Sequence, residues 1–269
     1  MDEITLTAGQ HDLIYNLISM TLAVMGGAFI FFLASMKRIN EKHRASMIVS
    51  AVIVAIAGYH YLRIFQSFEG AATLLDTGAY AFATEAFNDA YRYVDWIITV
   101  PLLMVELVLV LDFKDEIRRK FIAKMSIAAF LMIALGYPGE VATATSSILL
   151  WGTLSTIPFI YLLYVLWSEL GEAIKKESDR VKVLMRNTRL LILASWGVYP
   201  IAYLAPVLGF EGATSLTALQ VGYCIADMSA KAAYGVMIYS IARQKTLEEG
   251  GVTERVEVAA GGAAAVPGE

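Results

Sequence analysis

Seven long apolar stretches follow one another along the chain, at about 12–36, 44–66, 88–111, 119–136, 141–168, 187–208 and 215–242, each broken by few ionisable residues. Every stretch is long enough to cross a bilayer as a helix. The pattern predicts an all-α membrane protein, a seven-transmembrane helix bundle, in residues 1–246. Two segments fall outside it: 66–84, rich in Gly, Ala and Thr, and the tail 247–269, which has little to bury and is expected to be a disordered cytoplasmic extension. The opening MDEITLTAGQHDLIYNL lacks a basic leader, so the first apolar run is expected to be a retained anchor.

Composition agrees with lipid as the solvent. Of 269 residues, 58 % are hydrophobic and 17 % charged, and the mean hydropathy is +0.60. The basic residues set the expected orientation, because basic connections stay cytoplasmic. Lys37 to Arg44, Lys114 to Lys124, Lys175 to Arg189 and Arg243 to Arg255 cluster at alternate connections, and Glu69, Asp76, Glu140 and Glu211 occupy the others. The amino terminus is therefore expected outside and the carboxy terminus inside, in a multi-pass protein of the cell (inner) membrane. The net charge of −4 averages two opposite surfaces, and no basic motif for nucleic acid is present. Cys224 is the only cysteine, which excludes an intrachain disulfide and a thiolate metal cluster; no metal site is expected.

The charges inside the apolar stretches carry the chemistry. Lys231 stands in the run 221–239, one helical turn after Asp227. A lysine at that depth costs roughly 3 kcal/mol on insertion scales and persists where it is paired or chemically used. In the third stretch, Arg92, Asp95, Thr99 and Glu106 are three, four and seven residues apart, so they share one helical face. Asp95 and Glu106 are about 16 Å apart along the axis. Arg92 and Lys231 would offset Asp95 and Asp227, leaving Glu106 alone among leucines, methionine and valine. A carboxyl so isolated keeps its proton and can hand it on. His60, in AGYHYLRI, is either a satisfied core group or a partner of Asp95. Trp96, Trp196, Tyr199 and Tyr203 are either membrane core or the wall of a pocket, the last three sharing a face with Pro200, which frees a carbonyl and permits a kink.

RYVDWIITVPLLMVE in the third stretch and ADMSAK in the seventh together resemble the microbial (type 1) rhodopsins, and the likeness runs through all seven stretches. The resemblance implies a light-driven ion transporter rather than an enzyme, with all-trans retinal on Lys231 as a Schiff base. It implies that Asp95 is the primary counterion and proton acceptor, Asp227 the second counterion, and Arg92 the cation shaping their field. Asp95, Thr99 and Glu106 are similar to the trio of the proteorhodopsin and xanthorhodopsin branches, with Glu106 as cytoplasmic proton donor and His60 as the histidine that bonds the counterion. Leu103 resembles the residue of green-absorbing members, and Trp96, Trp196, Tyr199, Pro200 and Tyr203 resemble the retinal pocket.

Gly152, in LLWGTLSTIPFIYLLYVLW, falls where xanthorhodopsin-like members also have glycine. Its missing side chain either leaves a window for a carotenoid antenna or lets helices pack closely. The start of the seventh stretch, TSLTALQVGYC, lacks the paired carboxylates that release protons in archaeal pumps. The expected function is outward proton pumping in the bilayer by a homo-oligomer, pentamer or trimer; the alternative is a photosensory protein of the same fold that signals to a partner.

Overall fold

The computed structural model describes residues 3–205 and 207–250. Among these, seven helical columns and three short strands form the chain. The columns are α1 (Ala8–Ser35), α2 (Glu41–Ala71), α3 (Tyr91–Leu109), α4 (Asp115–Glu140), α5, α6 and α7. The last three are interrupted. In α5, Thr145–Tyr164 passes through a π turn, Val165–Glu169, into Leu170–Ile174. In α6, Asp179–Trp196 breaks at Gly197 and resumes as Val198–Tyr203. In α7, Gly212–Asp227 passes through a π turn, Met228–Ala233, into Tyr234–Glu248. The helical column therefore runs past residue 247, where the tail was expected to begin; the rest of that expectation, from 251 onward, lies outside the described residues.

Local signals account for the starts. Thr7 and Gln10 form a reciprocal capping box on α1, the Thr7 hydroxyl accepting from the Gln10 amide at 3.2 Å and the Gln10 side chain accepting from the Thr7 amide at 3.0 Å. Ser178 caps α6 by accepting from the Val181 amide. Four columns, Ala8–Arg38, Glu41–Ala71, Asp115–Glu140 and Thr145–Ile174, are long and apolar enough to cross a membrane by length and composition. Of the other three, α3 and α7 hold the buried charges, which lower their hydropathy without removing them from the bundle. Large apolar side chains on the outside, Ile30, Ile157, Ile160 and Ile201 among them, are more than half exposed, as a lipid-facing surface requires.

The segment 66–84 holds the feature that hydropathy does not announce. β1 (Glu3–Leu6), β2 (Ala72–Leu74) and β3 (Tyr80–Ala83) form an antiparallel sheet in the order β1, β3, β2, with Ile4 opposite Phe82 and Ala72 opposite Phe82 on the other side. Gly78, at φ 80°, makes the turn between β2 and β3. Leu6, Phe68 and Phe82 are fully buried beneath the sheet, and the two rings meet at 5.2 Å, so the sheet closes one end of the bundle. The strands are too short and too far apart in sequence for a period-2 signal to stand out.

The opposite, basic end is tied by ion pairs among four connections. Lys245 of α7 is almost wholly buried and reaches Asp112, after α3, at 2.7 Å and Glu177, before α6, at 2.8 Å. Lys42 at the start of α2 meets Glu249 at 2.7 Å. Burial acts to raise the Asp112 and Glu249 carboxyls, but hydrogen bonds from Lys245 to the first and from Lys42, Asn40 and His43 to the second hold both below the ordinary carboxylate range.

Candidate functional site

Helices α3 and α7 face each other across the bundle, and their charged stripes meet. Lys231 lies in the π turn of α7, where the widened backbone alters the register of side chains around it. Its Nζ stands 2.6 Å from Asp227 Oδ1 and 2.9 Å from Asp95 Oδ2, and all three side chains are at least 98 % buried. The two aspartates differ sharply in their surroundings. Asp227 accepts from Tyr61 Oη at 2.8 Å, from Tyr199 Oη at 2.6 Å and from Trp96 Nε1 at 3.2 Å. Asp95 has Lys231 but no further donor among the described residues. Thr99, one turn on, donates to the backbone carbonyl of Asp95 at 2.9 Å rather than to its carboxylate. His60 Nδ1 donates to the Ile56 carbonyl at 3.0 Å and stands 3.7 Å from Asp95 Oδ1, a distance for electrostatic attraction but too long for a direct hydrogen bond.

Arg92 corrects the expected charge balance. Its Nε pairs with Asp89 at 2.7 Å, and it does not meet either aspartate at Lys231 directly. The reason is directional: helical side chains lean toward the amino-terminal turn, so Arg92 leans away from Asp95. It reaches Asp227 through one intermediary, donating to Tyr61 Oη at 3.0 Å while that hydroxyl donates to Asp227. Gln220 accepts from the same guanidinium and donates to Asp89, and the Tyr61 and Tyr223 rings lie 5.4 and 5.1 Å from it. Asp89, Tyr61, Gln220 and Tyr223 were not singled out from the sequence. A signal existed for two of them, since Gln220, Tyr223 and Asp227 recur at helical spacing on α7.

Glu106 lies farther along α3 toward the basic end, fully buried, and neither carboxyl oxygen has a hydrogen-bond partner among the described residues. Ser50 of α2 is its polar neighbour. Desolvation without a partner is tolerable for a neutral acid and costly for a carboxylate.

A cavity of about 480 Å³ opens beside Lys231, within the usual range for small-molecule sites. All eight residues proposed to hold a cofactor line it: Trp96, Leu103, Gly152, Trp196, Tyr199, Pro200, Tyr203 and Lys231. Val100, Met132, Gly136, Ser155 and Phe159 are among the further lining residues, which were not foreseen. An elongated apolar molecule that condenses with an amine fits this lining, since the buried Lys231 side chain borders a largely apolar chamber. Gly152 has a specific packing partner: a Cβ there would lie 2.7 Å from Tyr203 Cε1, and Tyr203 Oη donates to the Ile148 carbonyl at 2.8 Å. The tyrosine ring takes the room that the glycine leaves.

Comparison with known proteins agrees with this geometry. The family described as bacteriorhodopsin-like protein matches residues 12–245. The chain is 26 % identical over 246 residues to the green-light absorbing proteorhodopsin of gamma-proteobacterium EBAC31A08, covering 88 % of this chain and 92 % of that protein. Among solved structures, xanthorhodopsin, a light-driven ion pump with dual chromophore, superposes with a TM-score of 0.88 at 51 % identity, covering 92 % of this chain and 99 % of the other. A thermophilic rhodopsin gives the same TM-score of 0.88 at 47 % identity, again covering 92 % and 99 %.

Proposed function

Because the chain belongs to the bacteriorhodopsin-like family, we propose that it is an outward, light-driven proton pump in which retinal is bound to Lys231, Asp95 accepts the proton and Glu106 replaces it. The family's pumps are transporters, and the chain is a multi-pass membrane protein of that kind. The observation that carries the finer reading is the unequal treatment of three buried acids.

Three hydroxyl and indole donors hold Asp227 as a fixed anion. Asp95, which lacks such donors, is the carboxylate able to take a proton from the Lys231 nitrogen. Glu106, with no partner, keeps a proton on the other side of that nitrogen. When bound, retinal supplies light-driven isomerisation, which turns the nitrogen's N–H and changes its proton affinity. The residues then set direction: Asp95 receives toward the sheet end and Glu106 returns a proton from the basic end. The basic end faces the cytoplasm by the distribution of Lys and Arg, so transport is outward. Alternating access needs a moving part, and the break at Gly197 in α6, beside Pro200, supplies a hinge.

Cells expressing the chain with added retinal should acidify their medium under illumination, and a protonophore should abolish the change. A coloured sample with no pH change would favour the photosensory alternative.

The proposal extends to a carotenoid antenna. In xanthorhodopsin the pump has a dual chromophore, and here Gly152 faces the cavity with Tyr203 across it. Gly152 and Tyr203 are the residues that would border a carotenoid there. Excitation in the carotenoid band should drive pumping when a carotenoid is supplied, and Gly152→Trp should remove that band from the action spectrum while leaving the retinal band. An action spectrum identical in both proteins would refute the antenna.

A further inference from the structure

A donor at Glu106 has to be refilled from the basic end after each turnover. Along α2, His43, Ser46 and Ser50 are separated by three and four residues and lie on one face. They are 1 %, 0 % and 2 % exposed, in a helix whose other buried residues are mostly apolar. His43 and Ser50 are about 10 Å apart along the axis, two helical turns. The inner end of this line is Ser50, the polar neighbour of the Glu106 carboxyl. At the outer end, His43 Nε2 meets Glu249 Oε1 at 3.2 Å.

Glu249 is more exposed than the histidine beneath it, with 28 % of its side chain accessible against 2 % for His43. Lys42 and Asn40 also touch Glu249, at 2.7 and 2.9 Å. Lys42 and Lys245 both reach Asp112, which makes a second surface carboxylate in the same cluster. Glu249 thus joins the buried imidazole to a partly exposed cluster of carboxylates and lysines.

We propose that His43 is the proton-relay residue of the uptake path, fed by Glu249 and leading along Ser46 and Ser50 to Glu106. The inference rests on the reading of Glu106 as donor. Imidazole suits the position because it takes a proton on one nitrogen and gives one up from the other. At rest His43 Nε2 carries the hydrogen that it donates to Glu249; tautomer exchange moves that hydrogen to Nδ1, a proton from solvent reaches the Glu249 carboxylate and passes to the bare Nε2, and Nδ1 gives its proton inward to Glu106, left as a carboxylate after each turnover. The ring ends with its hydrogen on Nε2 again, and no other bond changes. Ser46 donates to the His43 carbonyl at 2.7 Å and Ser50 to the Ser46 carbonyl at 3.1 Å, so both hydroxyl oxygens keep lone pairs for a passing proton.

The test is flash-induced proton uptake by the full, retinal-bearing chain, followed with a pH-indicator dye. His43→Asn should delay uptake by about tenfold, below the usual contribution of a positioned proton-transfer group because water competes. Added imidazole should restore it, and Ser50→Ala should delay it as well. The visible band reports whether each variant is folded. Uptake at the unsubstituted rate in both folded variants, or a His43→Asn defect that imidazole leaves untouched, would overturn the relay. Glu106→Gln separates the two levels: slow recovery there with normal His43→Asn uptake removes the relay alone, whereas unchanged recovery in Glu106→Gln removes the donor reading and the relay with it.

Discussion

Replacing Lys231 should leave the protein colourless with added retinal and unable to move protons in light. The amine is 2 % exposed, faces the cavity, and is paired with Asp95 and Asp227 at 2.9 and 2.6 Å. Lys231→Ala removes both the attachment point and the countercharge. Stranding buried carboxylates costs roughly 3–5 kcal/mol, enough to endanger folding. Lys231→Arg separates the effects, since it keeps the charge but has no primary amine to condense with an aldehyde. Both variants should lack the visible band, and borohydride-reduced protein analysed by mass spectrometry should carry a retinyl group at Lys231 only when the lysine is present. A normal band in Lys231→Arg would end the assignment. The loss expected is complete, because no neighbouring residue offers a second buried amine.

The next largest effect is expected at Glu106. Glu106→Gln preserves shape and neutrality, so the packing of α3 should hold, but the amide cannot give up a proton at the required step. Recovery of the dark state after a flash should slow by about a hundredfold, the low end for a positioned general acid. Azide, a small proton carrier, should speed recovery again by delivering protons from solvent. The variant should still move a proton to Asp95 on the first flash, which isolates the defect to resupply. Recovery at the unsubstituted rate would take Glu106 out of the donor role. The cost of burying this acid without a partner is what makes its presence informative. Nothing in the packing of α3 asks for a glutamic acid between Val105 and Leu107, and an apolar side chain would serve stability better.

The candidate site was legible where chemistry opposes its solvent. Lys231, Asp227, Asp95 and Glu106 could be read because ionisable groups in apolar runs are expensive, and helical spacing placed them on shared faces. Spacing put Trp196, Tyr199 and Tyr203 on one face and left open whether they were membrane core or pocket wall, whereas Leu103 and Gly152 came from the resemblance; all of them line the cavity. Tyr61 and Asp89 could not be singled out, since a tyrosine within an apolar helix and an aspartate in a loop carry no cost that marks them. Their roles depend on Arg92 turning away from Asp95, which is a matter of side-chain direction. The small sheet was likewise hidden, because β1 is separated from β3 by two whole helices.

Sequence alone determined the number of spans, the identity of the buried charges and the lysine on which the cavity converges. It could do so because a bilayer penalises each exposed polar group separately, and each penalty is written in one residue and its near neighbours. Tertiary structure decided the rest: that, besides Lys231, Asp227 has three donors and Asp95 none among the described residues, that Arg92 belongs to Asp89, that Tyr203 fills the space at Gly152, and that His43 sits under Glu249. Those are contacts between residues tens to hundreds of positions apart, fixed by how the helices rotate and where α6 and α7 break, and no local pattern encodes them.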